Sequence, residues 1–92
     1  MTEPVTRTLT IVNEKGLHAR ASAKLVELVE GFDADAVVSK DGVAASADSI
    51  MGLLMLIAAK GSTVTVTTTG EQADTLAVAI EELVANRFGE DA

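Results

Sequence analysis

Ninety-two residues carry 14 acidic side chains against 7 Lys and Arg, a formal charge of −7, with 48% apolar residues and no cysteine. So much aliphatic content in so short a chain predicts one small core, residues 1–92 as a single domain, and excludes a disordered polyanion. The acidic balance excludes a nucleic-acid backbone as partner, which needs clustered Lys and Arg, and a lone histidine is a poor start for a zinc site.

The missing cysteines favour a reducing compartment. The opening "MTEPVTR" lacks the apolar region of a signal peptide. The longest apolar run, Ile50–Ala59, is about half of the roughly 20 residues that a spanning helix needs. A cytoplasmic protein with no direct membrane insertion is expected, one whose partners are other proteins.

In chain order, "VTRTLTIV" (Val5–Val12) alternates Val5, Leu9 and Ile11 with threonines, the period of a strand. "NEKG" (Asn13–Gly16) is its turn. Leu17–Phe32 reads as a helix with Ser22, Leu25, Val26 and Val29 on one face and Gly31 as its stop. Ala34–Ser46 reads as two short strands around Asp41-Gly42, a dipeptide suited to a tight hairpin. Ala47–Gly61 reads as a short helix, with Asp48 or Ser49 as N-cap. Ser62–Gly70 is a strand, with Val64 and Val66 facing in and the threonines facing out. Glu71–Phe88 is the clearest helix, its stripe formed by Ala73, Leu76, Ala77, Ile80, Leu83 and Val84, and Gly89 ends it. The order β-α-β-β-α-β-α predicts an α+β fold, an antiparallel sheet whose apolar side is covered by helices.

His18 is the only histidine, and it falls at the first turn of the first helix. Amides there lack intrahelical partners, and the helix dipole adds partial positive charge. A neutral imidazole, able to act as a nucleophile, is therefore expected at pH 7. An anion carried on the ring would meet those amides. Arg20 adds a forked donor suited to phosphate oxygens. On spacing alone, a surface histidine and a solvated arginine remain the commoner explanation.

Three stretches carry a family resemblance. "GLHARASAKLV" (Gly16–Val26) resembles the phosphohistidine motif of HPr, the phosphocarrier of the bacterial phosphoenolpyruvate-dependent sugar phosphotransferase system. "DSIMGLLML" (Asp48–Leu56) resembles that family's regulatory-serine segment. Ala58–Val84 resembles its Lys-Gly, strand, Gly and terminal helix. The resemblance implies an open-faced two-layer β-sandwich, with a four-stranded antiparallel sheet of order 1-4-2-3 and three helices on one face. It implies His18 as the phospho-acceptor through Nδ1, with Arg20 steadying the phosphoryl group. The donor would be Enzyme I and the acceptors IIA domains or proteins. It implies a carrier that is not itself a turnover catalyst and needs no cofactor, and a monomer is expected. One position departs from the family pattern: Ala21 stands where proline is usual.

Ser49 is explained by an N-cap role alone. The resemblance adds phosphorylation by an HPr kinase/phosphorylase, against which Asp48 is an unexpected neighbour. Ile50, Met51, Leu53, Leu54 and Met55 cannot all point inward from a short helix. Met51 and Leu54, joined by Leu17, are the expected docking patch near His18. Two alternatives stay open: a nitrogen-branch, NPr-type regulatory carrier, and an interaction module acting through Ser49 and the Ile50-Met51-Leu54 patch with His18 idle. A small acyl phosphatase ranks lower, because it would need an arginine-bearing glycine-rich loop after the first strand.

Overall fold

The computed structural model describes residues 3–92. Its elements are β1 (Val5–Thr10), α1 (Ala19–Glu30), β2 (Asp35–Lys40), β3 (Val43–Ser46), α2 (Ile50–Leu54), β4 (Thr63–Thr69) and α3 (Ala73–Ala85), followed by a 3-10 turn, Arg87–Gly89. The four strands form one sheet in the order β1-β4-β2-β3, every pairing antiparallel. Fold class and topology are those expected.

Register follows from which face must be dry. Leu9 lies opposite Val64, and Val38 opposite Val66. All four side chains are buried in the one core that also takes Leu25, Val29, Leu76 and Ile80 from α1 and α3. The opposite face of β1 presents Thr6, Thr8 and Thr10 to solvent. The β2–β3 hairpin turns at Asp41 and Gly42, both with positive φ (50° and 82°), the pattern that matches the twist of the flanking strands.

Several boundaries differ from the sequence reading, each for a physical reason. The helix expected over Ala47–Gly61 is only Ile50–Leu54. Ile57 takes a left-handed conformation (φ 50°), which ends helical progress and lets Leu56 and Ala58 turn into the core. The first helix begins at Ala19, two residues later than expected, because Leu17 and His18 belong to the turn. Gly31 closes it with φ −81°, without using the freedom glycine offers. The last helix stops at Ala85, three residues short of Phe88. Arg87, Phe88 and Gly89 then all have positive φ, which folds Phe88 back into the core at 1% exposure. Burying that ring contributes about 2–3 kcal/mol, which offsets most of the roughly 2–4 kcal/mol that two left-handed residues cost. Thr68 was expected to face out. It lies on the inward face with Val64 and Val66, and its hydroxyl donates to the Ala73 carbonyl at 2.8 Å, which ties β4 to the start of α3.

Candidate functional site

The turn before α1 is tightly knitted. Gly16 N–H donates to the Asn13 carbonyl at 3.2 Å, and His18 N–H donates to the Gly16 carbonyl at 2.9 Å, a three-residue turn centred on Leu17. Leu17 N–H donates across to the Ala58 carbonyl at 2.8 Å, fastening this turn to the segment after α2. Asn13, fully buried, donates through Nδ2 to the Gly16 carbonyl at 2.8 Å. The loop that carries the imidazole is therefore fixed from both sides.

His18 is the N-cap of α1, with extended backbone and no capping bond from its side chain. Its carbonyl accepts from Ser22 N–H at 2.8 Å. The amides of Ala19, Arg20 and Ala21 precede that bond, so the helix offers them no acceptor, and they make the positive end of α1. Ala21, in the place where the family usually has proline, is fully buried, and the helix starts normally around it. The His18 side chain is 27% exposed, so it is reachable yet not loose.

A partner absent from the sequence reading completes the site. Glu90 Oε2 lies 2.5 Å from His18 Nε2, across 72 residues of chain. Its other oxygen, Oε1, accepts from Asn13 Nδ2 at 3.0 Å. These contacts hold the Glu90 carboxyl below its ordinary value of 4.5, the Asn13 bond contributing most and the His18 bond next. A carboxylate can only accept, so the shared proton belongs on Nε2. In the uncharged ring that assignment leaves the lone pair on Nδ1.

Around this pair lies an open cleft of about 410 Å³, lined by Glu14, Lys15, Arg20, Lys24, Asp91 and Ala92 as well as His18 and Glu90. Arg20 is exposed on its wall, as a donor to an incoming anion must be. Lys24 Nζ donates to the Phe88 carbonyl at 2.6 Å and so tethers the C-terminal turn to α1.

On its other side His18 borders a shallower cleft of about 240 Å³ with Lys15, Leu17, Leu54, Ile57, Ala58 and Ala59. Ile57 on its rim is 78% exposed, and Met51 and Met55, outside its lining, are 71% and 72% exposed. Met51 and half-buried Leu54 thus lie where an apolar patch was expected. Leu17 lines the same cleft but is only 6% exposed, so most of its side chain packs in the core, and its N–H is bonded to the Ala58 carbonyl. Met55 and Ile57 were missed as members of the surface, because an all-apolar run gives no sign of which side turns outward. Ser49 caps α2, its hydroxyl oxygen accepting from Gly52 N–H at 3.0 Å. It lines neither of the clefts bordered by His18.

The sequence pattern of the PTS-HPr family, described as the PTS HPr component phosphorylation site, matches residues 5–86. The chain belongs to the HPr family. This HPr-family chain is 49% identical over 84 residues to the phosphocarrier protein HPr of Cupriavidus necator, covering 91% of this chain and 94% of that one. It is 42% identical over 88 residues to the phosphocarrier protein NPr of Escherichia coli K12, covering 95% and 98%. Among solved structures, HPr from Bacillus anthracis superposes with a TM-score of 0.85 at 34% identity, covering 90% of this chain and 99% of that one. HPr-C-His from Thermoanaerobacter tengcongensis superposes with a TM-score of 0.88 at 32% identity, covering 99% and 100%. The HPr-family fold, phosphocarrier class and link to the phosphotransferase system follow. Among the described residues, no helix is long and apolar enough to cross a membrane.

Proposed function

We propose that the chain is a phosphoryl carrier that loads and discharges through His18. The observation that carries this reading is the ring's placement. His18 caps α1, its Nε2 is engaged by Glu90, and its other nitrogen is left as the nucleophile beside a cluster of unpaired amides. Nδ1 attacks the phosphorus held on a histidine of Enzyme I, and IIA domains or proteins take the group onward. Such a transition state is loose and spreads charge over the phosphoryl oxygens. The carrier supplies position and donors, the first turn of α1 and Arg20, and no turnover of its own. The 92 residues act as one domain, a monomer in the cytoplasm. Met51 and Leu54 form part of the face that meets donor and acceptor.

Two finer readings have support. The NPr relative, matched over nearly its whole length at 42% identity, supports the nitrogen-related branch as a second reading beside the sugar branch, to which the HPr relative at 49% identity points. Ser49, at the start of α2, is the residue an HPr kinase/phosphorylase would modify, as the resemblance implies.

The test is incubation with Enzyme I and phosphoenolpyruvate, followed by acid. An acid-labile, base-stable label that disappears in His18→Ala is the expected result. A label that survives acid, or persists in His18→Ala, overturns the assignment and moves attention to Ser49.

A further inference from the structure

We infer that Glu90, held by Asn13, is a positioning residue for His18: it keeps the proton on Nε2, aims Nδ1 outward, and stays on the ring in the loaded carrier, so that the phosphoryl group leaves readily. This rests on the phosphocarrier reading above and adds to it a residue from the far end of the chain.

The C-terminal path is built to deliver that carboxylate. Arg87 and Phe88, both with a Cβ, take left-handed conformations and Gly89 follows with a third positive φ. Phe88 is the buried anchor, its carbonyl is pinned by Lys24, and Glu90 N–H donates to the Arg87 carbonyl at 2.9 Å. Nothing in helix propensity requires this reversal. Its outcome is a carboxylate with only 15% of its side chain exposed, placed against the one imidazole.

Asn13 shows that the placement is directed. Both hydrogens of its buried Nδ2 are used, one on the Gly16 carbonyl and one on Glu90. Its Oδ1 is buried without a hydrogen-bond partner. An amide that leaves its acceptor unsatisfied in order to donate twice is oriented by what it donates to. Backbone turn, Asn13, Glu90 and His18 then form a chain in which each member fixes the next, as a carboxylate behind a histidine does in other sites where the tautomer matters.

The chemistry follows from proton bookkeeping. On loading, the Nδ1 lone pair forms a bond to phosphorus while the donor's P–N bond breaks and its electron pair returns to the donor nitrogen. The proton on Nε2 stays, so the loaded ring is cationic and Glu90 balances it. On discharge, the Nδ1–P bond breaks, its pair returns to Nδ1, and phosphorus bonds to the acceptor's nitrogen. A ring that keeps its Nε2 proton is the better leaving group. Other charges face the same cleft: Lys15 from the turn, Arg20 and Lys24 from α1, and Glu14 and Asp91 from the two flanking segments. Glu90 differs from the other acids in touching the ring.

The test uses the full chain labelled with 15N in the imidazole, as wild type, Glu90→Gln and Asp91→Asn. Glu90→Gln keeps the shape and an acceptor for Asn13 but removes the charge. Asp91→Asn removes the same charge from the same cleft without touching His18. The ring nitrogen shifts of the unloaded chain are expected to show the Nε2–H form dominant in wild type and Asp91→Asn, and mixed tautomers in Glu90→Gln. After loading from Enzyme I and phosphoenolpyruvate, the pH profile of phosphoryl release in Glu90→Gln is expected to move about one pH unit lower. Release above neutrality then falls several-fold, up to about tenfold. Unfolding curves run alongside separate loss of fold from loss of position. Unchanged tautomer and unchanged profile in a folded Glu90→Gln overturn the inference, as does an equal effect of Asp91→Asn. If His18 takes no label in any variant, the carrier reading is what fails, and the tautomer measurement still decides the role of Glu90.

Discussion

Gly16 lies so close to the chain at Ala58 that a Cβ placed on it would sit 2.4 Å from the Ala58 carbonyl oxygen and 2.9 Å from the Ala59 Cα. The same carbonyl accepts the Leu17 N–H at 2.8 Å. With φ at 64°, Gly16 also occupies a conformation that other residues adopt at a cost. Gly16→Ala must therefore push two backbones apart and break the bond that seats the residue before His18. A loss of about 2–4 kcal/mol in stability is expected from strain and clash together. Transfer should slow by more than the unfolded fraction explains, because His18 moves with its turn. Urea unfolding and phosphoryl-transfer rates on the same sample check this. A stable Gly16→Ala chain with normal transfer would show that the turn does not set the ring's position.

A second expectation concerns acid. Glu90 is held below its ordinary value by its bonds to Asn13 and then His18, so in the folded state the carboxylate form is favoured. A depressed acid contributes its stability above the unfolded value, near 4.5, and loses it as pH falls through the lower folded value. The stability difference between wild type and Glu90→Gln should thus be flat from neutrality to about pH 5 and then shrink on further acidification. Denaturant titrations at a series of pH values measure it. A difference that grows toward low pH has the wrong sign and refutes the account.

Much of the fold was legible because its signals are local. Alternating Val and Leu in β1 and β4, the Asp41-Gly42 turn, and the stripes on α1 and α3 each follow from a period or a turn chemistry confined to a few residues. His18 and Arg20 stood out as candidates through the resemblance carried by Gly16–Val26, since a helix start and a fork-shaped cation by themselves are more often a surface histidine and a solvated arginine. Glu90 did not stand out. Its role arises only when Phe88 leaves the helical path and buries, and the apolar stripe of α3, which Phe88 extends as one more apolar position, gives no warning of that. Thr68 shows the same limit: a threonine in a strand reads as solvent-facing until the nearby Ala73 carbonyl supplies its partner. In α2, an almost unbroken apolar run carries little phase, so neither its end at Leu54 nor the exposure of Met55 and Ile57 could be read from it.

Ile57 offers a third test. A β-branched residue with φ 50° is strained, and its side chain is 78% exposed, so packing returns little of that cost. Ile57→Gly relieves about 1–2 kcal/mol of backbone strain and loses about 0.5–1 kcal/mol to the freer unfolded chain. The net gain of about 0.5–1 kcal/mol should raise the melting temperature by roughly 2–8 °C. If the exposed isoleucine serves docking beside His18, the same variant weakens transfer while the fold tightens. Calorimetry and a KM for the carrier as substrate of Enzyme I give the two readings, and a lower melting temperature would contradict the strain argument.

Ser49 links stability to the docking face. Its hydroxyl oxygen satisfies Gly52 N–H at the start of a five-residue helix, where each cap matters more than in a long one. Ser49→Ala should cost about 1 kcal/mol, whereas Ser49→Asp and Ser49→Asn keep an acceptor and should lie within a few tenths of wild type. Met51 and Leu54 ride on the turn that this bond begins, and Gly52 packs closely on it, since a Cβ there would meet Ser49 Oγ at 3.2 Å and Ala45 Cβ at 3.3 Å. Loosening the cap therefore disorders the apolar patch before it disturbs His18, which lies in the turn that caps α1. Ser49→Ala should raise the KM for the carrier with Enzyme I by a few-fold at unchanged kcat, and Ser49→Asn should restore it. A fall in kcat at constant KM would mean instead that Ser49 acts on the reacting ring and not on the surface that presents it.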